Sequence, residues 1–146
     1  MSQNLIAKAT TTIEAERSRV WEALVTPAAI KQYMFGADVS SEWHEGSKIV
    51  WKGDFRGKKY EDKGVILKIV PEETLVYSHF SPLSGKPDKP ENYHTVTINL
   101  SGSDNKTVVN LSQDNNADEN GRIESEKNWT AMLDGLKKYV EKSSQA

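Results

Sequence analysis

From Lys48 to Gln113 the apolar residues fall at every second position, in short runs broken by turn residues. That period is the period of a β-strand with one buried face. A sheet of this kind must be covered on its apolar side, which constrains everything else in the chain. In KIVWKGDF (48–55), Ile49, Trp51 and Phe55 share one side, and Lys52 and Asp54 the other. Arg56-Gly57-Lys58 turns into the long run KYEDKGVILKIV (59–70), where Gly64 marks an expected bulge. Pro71-Glu72-Glu73 turns into TLVYSHF (74–80). YHTVTINLS (93–101) and KTVVNLSQ (106–113) follow, joined by the turn signal GSDN. Short connections between successive strands predict an antiparallel meander.

The cover is also legible. Trp129, Leu133, Leu136 and Val140, with Met132 beside them, make one apolar stripe on a helix expected from about Arg122 to about Lys142. Before the meander, residues 5–14 read as a strand, and Val20, Trp21, Leu24 and Val25 recur at helical spacing. Pro27 ends that helix and suits the first turn of a second, short one, with Thr26 as its cap and Ile30, Tyr33 and Met34 on it. Residues 37–43 are a further strand, Glu45-Gly46 a turn, and 114–121 a polar loop. Segment 81–92 carries three of the five prolines and reads as a mobile loop. The expectation is one α+β domain over residues 1–146: a curved antiparallel sheet of about six or seven strands wrapped around a long C-terminal helix, two short helices after the first strand, and a frayed tail from about 143.

Composition removes several function classes. Cysteine is absent, so disulfide scaffolds, thiol catalysis and thiolate metal sites are excluded. No apolar run approaches the ~20 residues of a membrane span, and the first residues lack a signal-peptide pattern. The cytoplasm is the expected location. With 19 basic and 21 acidic residues the net charge is −2, which gives no long-range attraction to nucleic acid. His44, His79 and His94 are the only histidines, with no close-spaced pair, so no metal site is expected. No nucleophile elbow, phosphate loop or dinucleotide fingerprint occurs, and no cofactor is expected. Glu61 and Asp62 are adjacent carboxylates, but strand neighbours face opposite sides and form no catalytic dyad.

Four stretches carry a family resemblance. TIEAERSRVWEALVTPAAIKQY (12–33) is similar to an opening I-x-A-x-x-x-x-V-W-x-A-L-T-x-P. GVILKIVPEETLVYS (64–78), the pair TVTINL and KTVVNLS (95–100, 106–112), and NWTAMLDGLKKYVE (128–141) supply the rest, and together they span nearly the whole chain. The chain resembles homologues of the activator of the heat-shock protein 90 ATPase. They belong to the SRPBCC group of the START-like, birch-pollen-allergen-like superfamily, whose architecture is the helix-grip fold. Tyr33-Met34-Phe35 stands where the family often has an aromatic tandem, Asn128 where a glycine is common, and His79 where a tryptophan is common.

The resemblance implies an internal cavity between sheet and C-terminal helix, for a small hydrophobic or amphipathic ligand. Its candidate walls are Trp51, Phe55, Tyr77, Val96, Ile98, Leu111, Trp129, Met132 and Leu133, with Tyr33, Met34 and Phe35 near a mouth. Alternation points His79, His94 and Gln113 inward, where they would orient a polar end or satisfy one another. The first expectation is thus a non-enzymatic binding protein. The second, implied by the family, is an interaction module that stimulates a heat-shock chaperone in stress response. The third is a cyclase- or hydrolase-like enzyme that uses His79 or His94.

Overall fold

The structure is a computed structural model and describes residues 5–34, 36–55, 57–81, 85–116 and 118–144, without the side chains of Phe55, Lys58, Ser143 and Ser144. Strand β1 (Leu5–Ile13) leads into helices α1 (Arg17–Val25) and α2 (Pro27–Tyr33). The strands β2 (Asp38–Ser41), β3 (Lys48–Phe55), β4 (Lys58–Val70), β5 (Thr74–His79), β6 (His94–Ser103) and β7 (Lys106–Asn116) follow, and α3 (Glu119–Ser144) closes the fold. One seven-stranded sheet has the order β1-β7-β6-β5-β4-β3-β2, with every pair antiparallel. Short connections make the meander from β2 to β5 and from β6 to β7, and the longer segment 80–93 joins β5 to β6. Strand β1 instead crosses the molecule to pair with β7, so α1 and α2 lie across one end of the sheet.

The inner face is built in rows. Leu75, Ile98, Leu111 and Ala9 oppose one another across β5, β6, β7 and β1, and all four are buried. Helix α3 lays Met132, Leu133, Leu136 and Val140 on this face, each 3% exposed or less. Burying such a stripe contributes roughly 1.5–3 kcal/mol per side chain, an upper estimate. The free edge of β1 is closed by α3 itself. Glu126 accepts from Lys8 N–H at 3.0 Å, Glu141 accepts from Glu14 N–H at 2.9 Å, and Lys137 Nζ donates to the Thr12 carbonyl at 2.8 Å.

Four local expectations change. Helix α3 starts at Glu119, not Arg122, because Asp118 Oδ1 accepts the Gly121 N–H at 2.8 Å and caps the first turn. It also runs to Ser144, past Lys142. Strand β7 continues to Asn116, through what reads as loop. Thr26 has the extended backbone of a cap, but its hydroxyl donates back to the Glu22 carbonyl at 2.6 Å and leaves α2 uncapped by a side chain. The register of β4 against β5 shifts between Ile66 and Lys68, so the extra residue is Leu67, which is exposed. Gly64 has a different duty: a Cβ there would lie 1.7 Å from the Ser78 carbonyl oxygen.

Candidate functional site

At one end of the inner face, polar side chains replace the aliphatic rows. Trp51 on β3 opposes Asp62 on β4, and His79 on β5 opposes His94 on β6. Asp62 Oδ2 lies 2.9 Å from His79 Nε2, with side chains 15% and 28% exposed. A carboxylate only accepts, so His79 donates through Nε2–H. The other carboxylate oxygen, Asp62 Oδ1, is buried and has no hydrogen-bond partner among the described residues. Native proteins leave few such atoms, so this one calls for a physical explanation.

The rings form a continuous string. Trp51 contacts Tyr77 at 5.2 Å between centroids, Trp51 meets His79 edge-on at 5.1 Å, and His79 stacks beside His94 at 6.2 Å. His94 Nδ1 lies 2.9 Å from the Asp114 carbonyl oxygen, which fixes Nδ1 as the protonated nitrogen. Burial holds the His94 imidazole below its ordinary pKa. The Asp114 carbonyl opposes that shift, while His79 and Lys86 add to it.

Gln113 points inward as expected, but both ends of its amide are engaged. Its Oε1 accepts the Trp129 indole N–H at 2.5 Å, and its Nε2 faces Asn116 Oδ1 at 3.4 Å. Asn116 in turn bonds the Leu5 carbonyl at 2.9 Å and accepts from Ser125 at 2.8 Å. This is a satisfied network tying β1, β7 and α3 together.

Beside Trp51 and Tyr77, the sheet and all three helices line a partly open void of about 20 Å³, room for about one water molecule, and His79, His94 and Gln113 are not among its lining residues. Of the expected wall and mouth residues, Tyr33, Met34, Trp51, Tyr77, Ile98 and Met132 line it. Val96, Leu111 and Leu133 are buried in the core without lining it. Trp129 is half-buried over Gln113. Phe35 and the side chain of Phe55 lie outside the described residues. Burial raises the phenol pKa of both Tyr33 and Tyr77, and Tyr33 donates to the Ala23 carbonyl at 2.9 Å.

Two residues of this region escape the sequence reading. Asp62 is one; its even-numbered parity with the buried Ile66 is the signal that points it inward. Trp43 is the other. It follows β2 with φ +57°, a conformation unusual for a bulky residue, and it lines the void half-buried. His44 lies apart in the exposed turn, 3.1 Å from Glu42. Among the described residues no group of three His, Asp or Glu side chains is placed to hold a metal ion. No helix among them is long and apolar enough to cross a membrane.

The loop expected to be mobile is, over 85–92, fastened down. Asp88 accepts the Tyr93 hydroxyl at 2.6 Å and pairs with Lys63. Asn92 donates to the Pro87 carbonyl at 2.8 Å, Asn115 donates to the Glu91 carbonyl at 2.8 Å, and Phe80 stacks on Tyr93 at 5.1 Å.

Solved structures share this architecture. ChR145 from Cytophaga hutchinsonii is 55% identical, with 100% of each chain covered and a TM-score of 0.86. The Aha1 dimer from Colwellia psychrerythraea is 22% identical, covering 93% of this chain and 96% of that one, with a TM-score of 0.72. CalU16 from Micromonospora echinospora is 19% identical, covering 98% and 88%, with a TM-score of 0.71. The last two are similar in fold. No match is found among curated proteins. Residues 14–141 match the family described as Activator of Hsp90 ATPase homolog 1-like protein, and over that span, with this fold, the chain belongs to that family.

Proposed function

We propose that the protein binds a small hydrophobic or amphipathic molecule between the sheet and α3, with no chemical conversion. The observation that carries this reading is the void walled by Trp51, Tyr77, Met34 and Met132, whose Trp51 ring meets His79 of the polar row at 5.1 Å. Ligand sites are apolar with a few placed polar groups. The void is too small for an organic ligand as it stands, and two of its walls are methionines, the side chains best able to repack.

Native mass spectrometry on gently purified protein tests the reading. An extra mass that disappears on denaturation is the expected result. A clean apo mass, together with a flat thermal-shift screen of small amphiphiles, overturns it, because a ligand at 100-fold its Kd stabilises by about 2.7 kcal/mol.

The family description favours a second reading: an interaction module that stimulates a heat-shock chaperone's ATPase in the cytoplasm under stress. Adding the purified protein to Hsp90 and measuring ATP turnover tests it. Unchanged turnover and no co-purification remove that reading.

A further inference from the structure

We infer that the polar row at the end of the sheet selects a ligand whose head is a hydrogen-bond donor, a hydroxyl or an amine, and discriminates against carboxylates. The inference rests on the binding reading above and names the chemistry of its polar end.

The argument is an inventory of donors and acceptors. His79 spends its Nε2–H on Asp62 Oδ2, which leaves Nδ1 of the neutral ring as a lone pair. His94 spends its Nδ1–H on the Asp114 carbonyl, which leaves Nε2 as a lone pair. Burial favours the neutral form of His94. Asp62 Oδ1 is an acceptor without a donor among the described residues. The amide N–H groups of Gln113 face Asn116, so they do not redress the balance. The row therefore holds three acceptor positions, and its imidazole and amide donors are already committed; the Trp51 indole N–H and the Tyr77 hydroxyl are donors of the void wall beside it. A carboxylate placed there would face Asp62 and two lone pairs, whereas a hydroxyl or ammonium would satisfy the orphaned oxygen.

Among the described residues, Asp114 and Lys86 are the charged side chains that act on His94. Lys86 stands close enough to His94 to oppose its protonation. Lys63 is paired with Asp88, and Glu61 lies opposite Lys52. Lys86 is the group that would favour an anionic head instead, so the test must separate the two.

The experiment uses the full chain at about pH 8, above the ordinary imidazole range. Three probes share one apolar body: 2-naphthol, its methyl ether and 2-naphthoate. Their affinities are read by NMR titration. The expected result is that naphthol binds at least about tenfold more tightly than either of the others. Asp62→Asn is expected to narrow that margin to about threefold or less while the amide spectrum stays dispersed. Long-range ¹H–¹⁵N spectra of the free protein supply a second readout, with His94 protonated at Nδ1 and bare at Nε2. Naphthoate binding as tightly as naphthol, or equal binding of naphthol and its ether, overturns this inference and leaves the binding reading standing. The reversed His94 tautomer also overturns it alone. No binding by any of the three probes overturns both.

Discussion

Asp62 and His79 reach across two neighbouring strands to a 2.9 Å contact, and only one of the two carboxylate oxygens is used in it. The contact is half-shielded, so its strength lies between that of a buried and a surface pair. Asp62→Asn is expected to lower stability by about 1 kcal/mol, a charge-assisted bond discounted for solvent. Urea unfolding read alongside the His79 ring resonances checks this. An unchanged midpoint with unmoved ring resonances would mean that the pair does not form in solution.

His94 gives a pH dependence with a definite sign. Its folded-state pKa is depressed, chiefly by burial, so the unfolded chain takes up the proton first as pH falls. The stability from holding the ring neutral is complete above its ordinary value of 6.5 and is lost as pH falls through the folded value. His44, exposed and shifted upward, acts in the opposite sense. The comparison of wild type with His94→Gln therefore isolates the effect. Below about pH 6.5 the wild type should lose stability more steeply than the variant; parallel curves would remove His94 as the cause.

The indole N–H of Trp129 is the donor that satisfies Gln113, which is only 8% exposed. Trp129→Phe keeps the ring but strands the amide oxygen, at an expected cost of about 1–3 kcal/mol. Pairing it with Gln113→Leu should recover much of that loss, since removing both partners is far cheaper than removing one. Thermal unfolding of the two single variants and the double variant measures the coupling.

Gly64→Ala tests the close approach of β4 to β5. With backbone oxygen 1.7 Å from the new Cβ, the strands must separate. A loss of about 2 kcal/mol or more is expected. Amide exchange should quicken first at Val65, whose N–H is held by the Ser78 hydroxyl at 2.9 Å. A variant as stable as wild type would show that this stretch is looser than the structure has it.

Glu126 holds an edge amide of β1, and Glu141 holds the Glu14 amide just past its end. Replacing both by Ala bares those groups, and a bare edge is a template for another strand. The double variant should self-associate with rising concentration in sedimentation, relative to wild type. Identical sedimentation would mean that the edge is guarded by something else.

The alternation of Val96, Ile98 and Leu100 and of Val109, Leu111 and Gln113 sufficed to place β6 and β7 and their inner faces, because a half-buried strand has one simple period. The stripe from Met132 to Val140 identified the covering helix for the same reason. Asp62 was not legible in that way. Alternation separated it from Glu61, but its partner lies 17 residues away on another strand, and Gly64 obscured the register. The start of α3 was hidden by Gly121, a poor helix residue made acceptable by the Asp118 cap. Trp43 could not be placed, because nothing in its neighbours predicts a positive φ for an indole-bearing residue. Whether inner side chains fill a space or line one depends on distances of an ångström or two, and sequence periodicity carries no such lengths.

The pairing of β1 with β7 sets a schedule for the ribosome. Leu5 finds its partner at Asn116 and Ile13 at Thr107. At 5–20 residues per second, about 100 residues take roughly 5–20 seconds to synthesise. For that interval β1 has emerged without the strand that completes it, and the helix whose side chains guard its edge is still to come. Vectorial synthesis thus holds the nascent chain open at the seam that β1, β7 and α3 close together in the mature fold.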